Sequence, residues 1–129
     1  MAEAGRTDLG PGRLLVAVYA VFAVSAGARS AFQIATDFGA APVAYLLSAL
    51  AAAVYVVATV ALARNDRRVA LVAVVVELVG VLAVGAASRL APEDFPDATV
   101  WSGFGAGYGY VPLVLPVLGL LWLRRTARA

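Results

Sequence analysis

The strongest constraint on the fold is an apolar run of about 19 residues, 69–87, whose one ionisable side chain is Glu77. At about 1.5 Å per residue, a helix of this length just spans a hydrocarbon core of about 30 Å. Arginines precede the run and acids follow it: Arg64, Arg67 and Arg68 before, and Glu93, Asp94 and Asp97 after. The run is therefore predicted to be a transmembrane helix with a defined orientation.

The composition requires a membrane as solvent. Of 129 residues, 63% are hydrophobic and 14% are charged, with a mean hydropathy of +0.89. So few polar residues cannot cover a water-soluble globule of this size. We expect a single integral membrane domain over residues 1–129, with no separate soluble catalytic domain. All basic residues are arginine, and Ala, Val and Leu dominate, which is typical of a high-GC bacterium.

Cysteine and histidine are both absent from the chain. This excludes disulfides, thiolate nucleophiles, sulfur-held metals, histidine-ligated haem and the commonest general base. A formal net charge of +2 is too small to indicate a nucleic-acid partner. No catalytic residue, metal site or cofactor is predicted.

The alternation of apolar runs with short polar stretches predicts four spans joined mostly by short turns. Short connections force neighbouring helices to run antiparallel, so the predicted fold is all-α, a transmembrane four-helix up-down-up-down bundle. Residues 1–12 are predicted to be a flexible tail. An alternative interpretation of the first span is a signal peptide cleaved after Ala28, but apolar character continues past that point. The predicted spans are 14–36, 43–63, 69–87 and 108–123, with an external loop over 88–107.

Arginine distribution predicts the orientation. Most arginines lie in the N-terminal tail, the second turn and the C-terminal tail, whereas the first and third loops hold only Arg89 and several acids. The positive-inside rule therefore predicts a multi-pass protein of the bacterial plasma membrane with both termini cytoplasmic. The same arginines either set topology alone or bind anionic lipid head groups. The candidates for lipid binding are Arg64, Arg67, Arg68, Arg124 and Arg125.

The fourth span is irregular. If it begins at Pro112 and ends at Leu123, its length is about 18 Å, which is too short to cross the hydrocarbon. Either the helix reaches back through Tyr108, with kinks at Pro112 and Pro116, or the glycine-rich stretch 103–109 enters the membrane as non-helical backbone. The preceding loop is a candidate functional surface or a lid with Trp101 at the membrane interface.

Several polar residues are predicted to lie inside the membrane at two depths. Counting along the helices puts Arg29, Ser48 and Tyr108 at one level, and Glu77 and Tyr55 about 10 Å deeper. On the first helix, Ser25, Arg29, Gln33 and Thr36 share one face; on the second, Tyr45, Ser48, Ala52, Tyr55 and Thr59 do so. Both faces are expected to point inward. The candidate binding residues are Arg29, Gln33, Ser48, Tyr55, Glu77 and Tyr108.

Arg29 and Glu77 need partners, because an ionisable group in the membrane costs at least a few kcal/mol without one. One interpretation is structural, with Glu77 hydrogen-bonded to Tyr55 or Arg29 and with Arg29 reaching the loop acids. The alternatives are a solute or proton site built on the two residues, or contact with lipid or another subunit. Gly80 is predicted to let another helix approach the third span.

Two short motifs resemble known families. Gly107, Tyr108 and Gly109 resemble the core of the potassium-channel filter, although Gly105 and Ala106 replace the preceding Thr-Val. A glycine-rich cap packed against aromatic rings fits these residues better. Residues 76–80, Val-Glu-Leu-Val-Gly, resemble the Glu-Leu-x-Gly helix of the four-span DoxX-like proteins. The acid sits elsewhere along the chain there, so the resemblance transfers no functional residue.

In length, topology and composition the whole chain resembles small four-span membrane proteins of high-GC bacteria. The first functional hypothesis is a non-enzymatic interaction or accessory subunit that contacts lipid and associates with itself or another membrane protein. The second is a small-solute or ion transport element with an outward-facing cavity lined by Arg29, Gln33, Ser48 and Tyr108. The third is a membrane enzyme acting on a lipid, with Glu77 in proton transfer.

Overall fold

The computed structural model describes residues 6–127, and this part of the chain is helical with no strand. Four α-helices are present, together with three short 3₁₀ segments at Phe38–Ala40, Pro92–Asp94 and Ser102–Tyr108. The α-helices are α1 (Pro11–Asp37), α2 (Pro42–Ala63), α3 (Arg67–Leu90) and α4 (Val111–Ala127). The predicted all-α class is confirmed.

Three helices, α1 to α3, are long and apolar enough to cross a membrane. A fourth crossing exists only if Ser102–Tyr108 and α4 together count as one span, and the two are bent by 99°. Several long apolar helices of this kind are typical of a membrane protein.

Local sequence explains where the helices begin. Helices α1 and α2 begin at Pro11 and Pro42. The first residue of a helix has no intrahelical partner for its N–H, so proline, which lacks the N–H, loses no hydrogen bond there, and its fixed φ suits the first turn. The Asp66 carboxylate caps α3 by accepting a hydrogen bond from the Val69 N–H at 3.3 Å. Asn65 adopts a φ of 56° and so allows the tight turn between α2 and α3.

The helices pack in series, α1 on α2, α2 on α3 and α3 on α4, and Ser102–Tyr108 packs on α3 as well. Small residues dominate the buried faces of α1 and α2, which lets backbones approach closely. The prediction of a buried face on α2 is confirmed for Tyr45, Ser48, Ala52 and Tyr55. On α1 the prediction was wrong for Ser25, Arg29 and Thr36, which are exposed, and Gln33 is only partly buried. The buried stripe of α1 is Leu15, Tyr19, Ala23, Ala26 and Ser30.

The N-terminal segment packs against the helices from Thr7 onwards. Thr7 is fully buried, and its hydroxyl donates to the Leu62 carbonyl at 2.7 Å while its N–H donates to the Asn65 side-chain oxygen at 2.8 Å. The Trp122 indole in turn donates to the Thr7 carbonyl at 2.9 Å. The expected flexible tail is therefore wrong for residues 7–12, and residues 1–5 lie outside the described part of the chain.

Helix α4 begins at Val111, three residues later than the predicted start at 108. Gly109 and Tyr110 have φ values of 64° and 61°, which are incompatible with an α-helix. Positive φ values also interrupt the 3₁₀ segment at residues 103–105. The alternative in which the fourth helix reaches back through Tyr108 is therefore wrong, and entry of residues 103–109 into the membrane stays a prediction. With 17 residues, α4 is about 26 Å long.

We call residues 91–110, between α3 and α4, the connecting segment. Two of its aromatic rings lie on glycines of α3. Trp101 is 1% exposed, and a Cβ added at Gly80 would lie 2.5 Å from its ring. Phe104 lies against Gly85 in the same way. Gly80 therefore admits a tryptophan rather than the expected helix, and Trp101 lies in the core rather than at the predicted interface position.

This packing predicts opposite effects for two glycine substitutions in helices. Gly80→Ala should lower stability by about 1–3 kcal/mol, because the added methyl overlaps the Trp101 ring. Gly27→Ala, on α1, is the matched control: nothing lies within 4 Å of its Cβ position, so stability should rise by up to about 1 kcal/mol. Thermal unfolding of the detergent-purified variants measures both effects. Equal behaviour of the two variants would contradict the assigned contact.

Candidate functional site

Glu77 lies fully buried near the middle of α3. It belongs to the buried stripe of that helix, which recurs at three- and four-residue spacing through Ala70, Ala73, Val74, Glu77, Val81 and Val84. Its Oε1 accepts a hydrogen bond of 2.6 Å from the Tyr19 hydroxyl. Its Oε2 is buried and has no hydrogen-bond partner among residues 6–127. The expected partners of Glu77, Tyr55 and Arg29, are therefore replaced by a tyrosine of α1.

Tyr55 instead binds the connecting segment. Its hydroxyl accepts a hydrogen bond of 3.0 Å from the Trp101 indole N–H, and the two rings meet edge to face with centroids 6.4 Å apart. The Tyr19 and Tyr55 rings are 6.3 Å apart, so Tyr55 lies next to the Tyr19–Glu77 pair. We call Tyr19, Tyr55, Glu77 and Trp101 the buried cluster, because it joins three helices and the connecting segment.

An aromatic column connects the buried cluster to Arg29. The Phe22 ring lies between Tyr55 and Tyr108, with centroid distances of 5.6 and 5.9 Å. The Tyr108 hydroxyl then accepts a hydrogen bond of 2.6 Å from Arg29 Nη1. Each such ring pair contributes about 0.5–1.5 kcal/mol beyond its buried area. The column therefore fills the space between the two ionisable groups with packed rings.

Arg29 is the centre of a second polar group at the far end of the column. Besides Tyr108, it donates to the Ala98 carbonyl at 3.4 Å and lies 4.0 Å from Asp97 Oδ1. Asp97 Oδ2 also accepts a hydrogen bond of 3.0 Å from the Tyr45 hydroxyl. The expectation that Arg29 reaches the loop acids is confirmed. We call Arg29, Tyr45, Asp97 and Tyr108 the outer cluster. Tyr45 is buried, but the Arg29 and Asp97 side chains are partly exposed, so their ion pair contributes little to stability.

Four of the six candidate binding residues divide between these two groups, and Ser48 and Gln33 belong to neither. Arg29 and Tyr108 belong to the outer cluster, Tyr55 and Glu77 to the buried cluster, and the predicted Arg29–Glu77 pair does not form. Ser48 is buried on α2, and Gln33 Oε1 is the second buried side-chain oxygen without a partner in the described residues.

Sequence reasoning missed Tyr19 and the buried position of Trp101. The position of Tyr19 could have been predicted, because Tyr19 shares one helical face with the small residues Ala23, Ala26 and Ser30. This face is the buried face of α1. Trp101 carries no comparable signal. Its position depends on a contact with Gly80, 21 residues earlier in the chain, and the periodicity of the sequence does not predict such a contact.

The five arginines assigned to lipid contact are distributed over different surfaces. Arg67, Arg68 and Arg124 line one groove between α3 and α4. Arg125 lies at the end of another groove, between α1 and α4. Arg64 caps the end of α2 and is exposed.

The groove between α1 and α4 has a volume of about 440 Å³. Its walls are almost entirely apolar, with Leu14, Leu15 and Val18 on one side and Leu115, Leu118 and Leu121 on the other. The helices approach one another where Tyr19 reaches α4, and a Cβ added at Gly119 would lie 3.2 Å from the Tyr19 hydroxyl. We call this surface the α1/α4 groove.

Chemically, the buried cluster offers one carboxylate oxygen that could accept a further hydrogen bond or a cation. Within residues 6–127, no group of three or more acidic residues is close enough to hold a metal ion. None of the six candidate binding residues lines the α1/α4 groove or the groove of Arg67, Arg68 and Arg124.

Comparison with known proteins adds no relative. No family model matches the chain, and no curated protein and no solved structure is significantly similar to it. The resemblances to DoxX-like proteins and to small four-span bacterial proteins stay predictions. The function is therefore argued from the residues themselves.

The buried cluster predicts which tyrosine hydroxyl stabilises the protein. Tyr19→Phe should lower stability by about 1–3 kcal/mol, because it leaves the buried Glu77 carboxyl without its hydrogen-bond donor. Tyr110→Phe removes the same atom from an exposed ring and should be neutral within about 0.5 kcal/mol. Thermal unfolding of both variants in the same detergent gives the comparison. A Tyr19→Phe variant as stable as the control would refute the role given to this bond.

Proposed function

We propose that this protein is a non-enzymatic accessory subunit of the bacterial plasma membrane that receives a further transmembrane helix in its α1/α4 groove. In this proposal residues 1–129 form a single integral domain, a four-helix up-down-up-down bundle in which Ser102–Tyr108 and α4 make up the fourth span. The short connections at 38–41 and 64–66 support antiparallel neighbours. The arginine distribution supports cytoplasmic termini.

The observation that carries the proposal is the open, apolar α1/α4 groove. Its walls include side chains that remain largely exposed, with Leu14 at 71%, Leu118 at 50% and Leu121 at 56%. An apolar groove between two helices is a common seat for a third helix. In a membrane such an association depends on close van der Waals packing, which a shaped groove provides better than a smooth helix face.

The internal use of the ionisable groups supports a non-enzymatic role. Glu77 is bonded to Tyr19 in the core, and Arg29 is bonded to Tyr108 and to the backbone of the connecting segment. Both therefore serve to hold the helices and the connecting segment together. A membrane enzyme acting on a lipid stays a prediction that no specific observation favours.

The absence of cysteine from the natural sequence makes the groove directly testable by cross-linking. Leu14→Cys and Leu118→Cys introduce one thiol each into the groove, and Leu46→Cys, which is 55% exposed on α2, is the control. Each thiol is alkylated in native membranes with a benzophenone maleimide and irradiated, so that the benzophenone inserts into a C–H bond of whatever lies within reach. The groove variants should give a cross-linked protein product and the control should not.

The mass of the product distinguishes a second copy of the chain from another membrane protein. Strictly monomeric groove variants, or equal cross-linking of all three variants, would reject the proposal.

Transport is a second candidate, favoured by the buried and unpartnered Oε2 of Glu77. In this case Arg29, Gln33, Ser48 and Tyr108 would line an outward-facing cavity leading to Glu77. The rings of Phe22 and Tyr108 occupy that route, so a solute or ion could pass only when they move.

Liposome flux assays test the transport candidate. If it holds, Glu77→Gln and Arg29→Ala should each reduce flux of the transported ion at least tenfold, because both charges lie on the route. Glu93→Gln, at an exposed acid of the connecting segment, should leave flux unchanged. Flux that is the same in all variants, or absent from the natural protein, would rule this candidate out.

A further inference from the structure

A second groove lies at the arginine-rich end of the protein, between α3 and α4. It has a volume of about 490 Å³ and is lined by three arginines and three leucines. The arginines are Arg67, Arg68 and Arg124, and the leucines are Leu71, Leu120 and Leu123. We call this surface the α3/α4 groove. It shares no lining residue with the α1/α4 groove.

The placement of charge and apolar surface follows from the helix ends. Helix α3 begins at Arg67 and α4 ends at Ala127, so the first turn of one lies beside the last turn of the other. Leu71 follows Arg67 by four residues and Leu120 precedes Arg124 by four, so each leucine lies about one turn, or roughly 6 Å, from the arginine on the same face. The groove is cationic at its rim and apolar one turn deeper.

Arg67 is fixed at the base of this rim. It donates a hydrogen bond of 2.6 Å to the Thr126 hydroxyl and another to the Leu123 carbonyl, and Thr126 is itself buried. These bonds hold the guanidinium against the end of α4. Arg68 and Arg124 are exposed and extend from the rim.

Arg68 also borders a third groove, between α2 and α3, of about 420 Å³. The other walls of that groove are apolar and include Val57, Val72 and Val76. Arg68 therefore stands between two apolar grooves that run along opposite sides of the exposed face of α3. This arrangement matches a charged head with two hydrocarbon chains.

The local electrostatics favour an anion at this rim. Three guanidinium groups in one groove repel one another unless a negative charge lies between them. The N-terminus of α3 and the C-terminus of α4 meet at this rim and carry opposite partial charges, so the net positive charge of the rim comes from the three guanidinium groups. The nearest acid along the chain, Asp66, already accepts the Val69 N–H as the cap of α3.

We propose that the α3/α4 groove is a binding site for an anionic phospholipid. The phosphate lies between Arg68 and Arg124, above the fixed guanidinium of Arg67. One acyl chain follows Leu71 and Leu120 in the α3/α4 groove, and the other follows Val72 in the α2/α3 groove. A partner peptide is a poorer match, because the charged rim lies directly against surface that belongs in hydrocarbon.

Native mass spectrometry of the full chain, titrated with phosphatidylglycerol or phosphatidylcholine, tests the site. The natural protein should retain phosphatidylglycerol in preference to phosphatidylcholine. Arg68→Gln with Arg124→Gln should weaken phosphatidylglycerol binding about 30-fold, since each arginine contributes to the attraction. Arg13→Gln with Arg64→Gln is the matched control, because it removes the same charge outside the groove, and it should weaken binding no more than about threefold.

A charge-neutral variant keeps the test independent of folding effects at the arginines. Leu120→Trp fills the apolar part of the groove and should weaken phosphatidylglycerol binding about tenfold while leaving every arginine in place. Glycerol 3-phosphate, which has the head-group charge without the chains, should not displace the lipid at millimolar concentration.

Equal losses in the two double arginine variants, or displacement by glycerol 3-phosphate, would overturn the proposal. Cross-linking through the α1/α4 groove is read out separately, so failure of one proposal leaves the other intact.

Discussion

The structure depends on the insertion of Trp101 between α2 and α3. Its ring lies on Gly80, where a side chain of any size would overlap it, and its indole N–H donates to the Tyr55 hydroxyl. Since both contacts are buried, the indole keeps a hydrogen bond while its apolar ring leaves the solvent. This single side chain pulls the connecting segment onto α3, and Phe104 on Gly85 extends the same contact. The bent arrangement of Ser102–Tyr108 and α4 follows from that attachment.

Glu77, which is buried, and Arg29, which is partly exposed, lie on two of the long apolar helices. They do not form an ion pair, because the packed rings of Tyr55, Phe22 and Tyr108 lie between them. Each forms a hydrogen bond of 2.6 Å with a tyrosine hydroxyl: Glu77 accepts from Tyr19, and Arg29 donates to Tyr108. A tyrosine suits this task, because its ring packs among apolar side chains while its hydroxyl reaches the charged group. Both bonds connect elements distant in sequence, so they add to tertiary specificity.

The two grooves that flank α4 suggest separate partners for one helix. The α1/α4 groove is apolar along its length and ends at Arg125, which favours another helix. The α3/α4 groove has three arginines at its rim, which favours an anionic lipid head. A lipid held at the second groove would also hold α3 and α4 together at the arginine-rich end, where Arg67 already bonds to Thr126. The proposed lipid site therefore lies next to the helix that forms one wall of the proposed partner site.

Local sequence determined the elements of this protein. Apolar length and the short polar turns between the runs predict α1, α2 and α3 to within a few residues, because helix formation depends on neighbours along the chain. Periodicity also predicted the buried face of α2. It was wrong for Ser25 and Thr36 on α1, because polar and small residues both compete for the inner face and only the packing partner decides between them.

Only the tertiary structure decided what the elements do together. It brought Tyr19 to Glu77, Trp101 to Gly80 and Tyr55, and Arg67 to Thr126, contacts between residues 20 or more positions apart. It also set the start of α4 at Val111, because Gly109 and Tyr110 have positive φ values. Local helix propensity does not predict these values. The physical reason is range: a helix is stabilised by bonds four residues apart, whereas a pocket or a buried hydrogen bond exists only once separate helices meet.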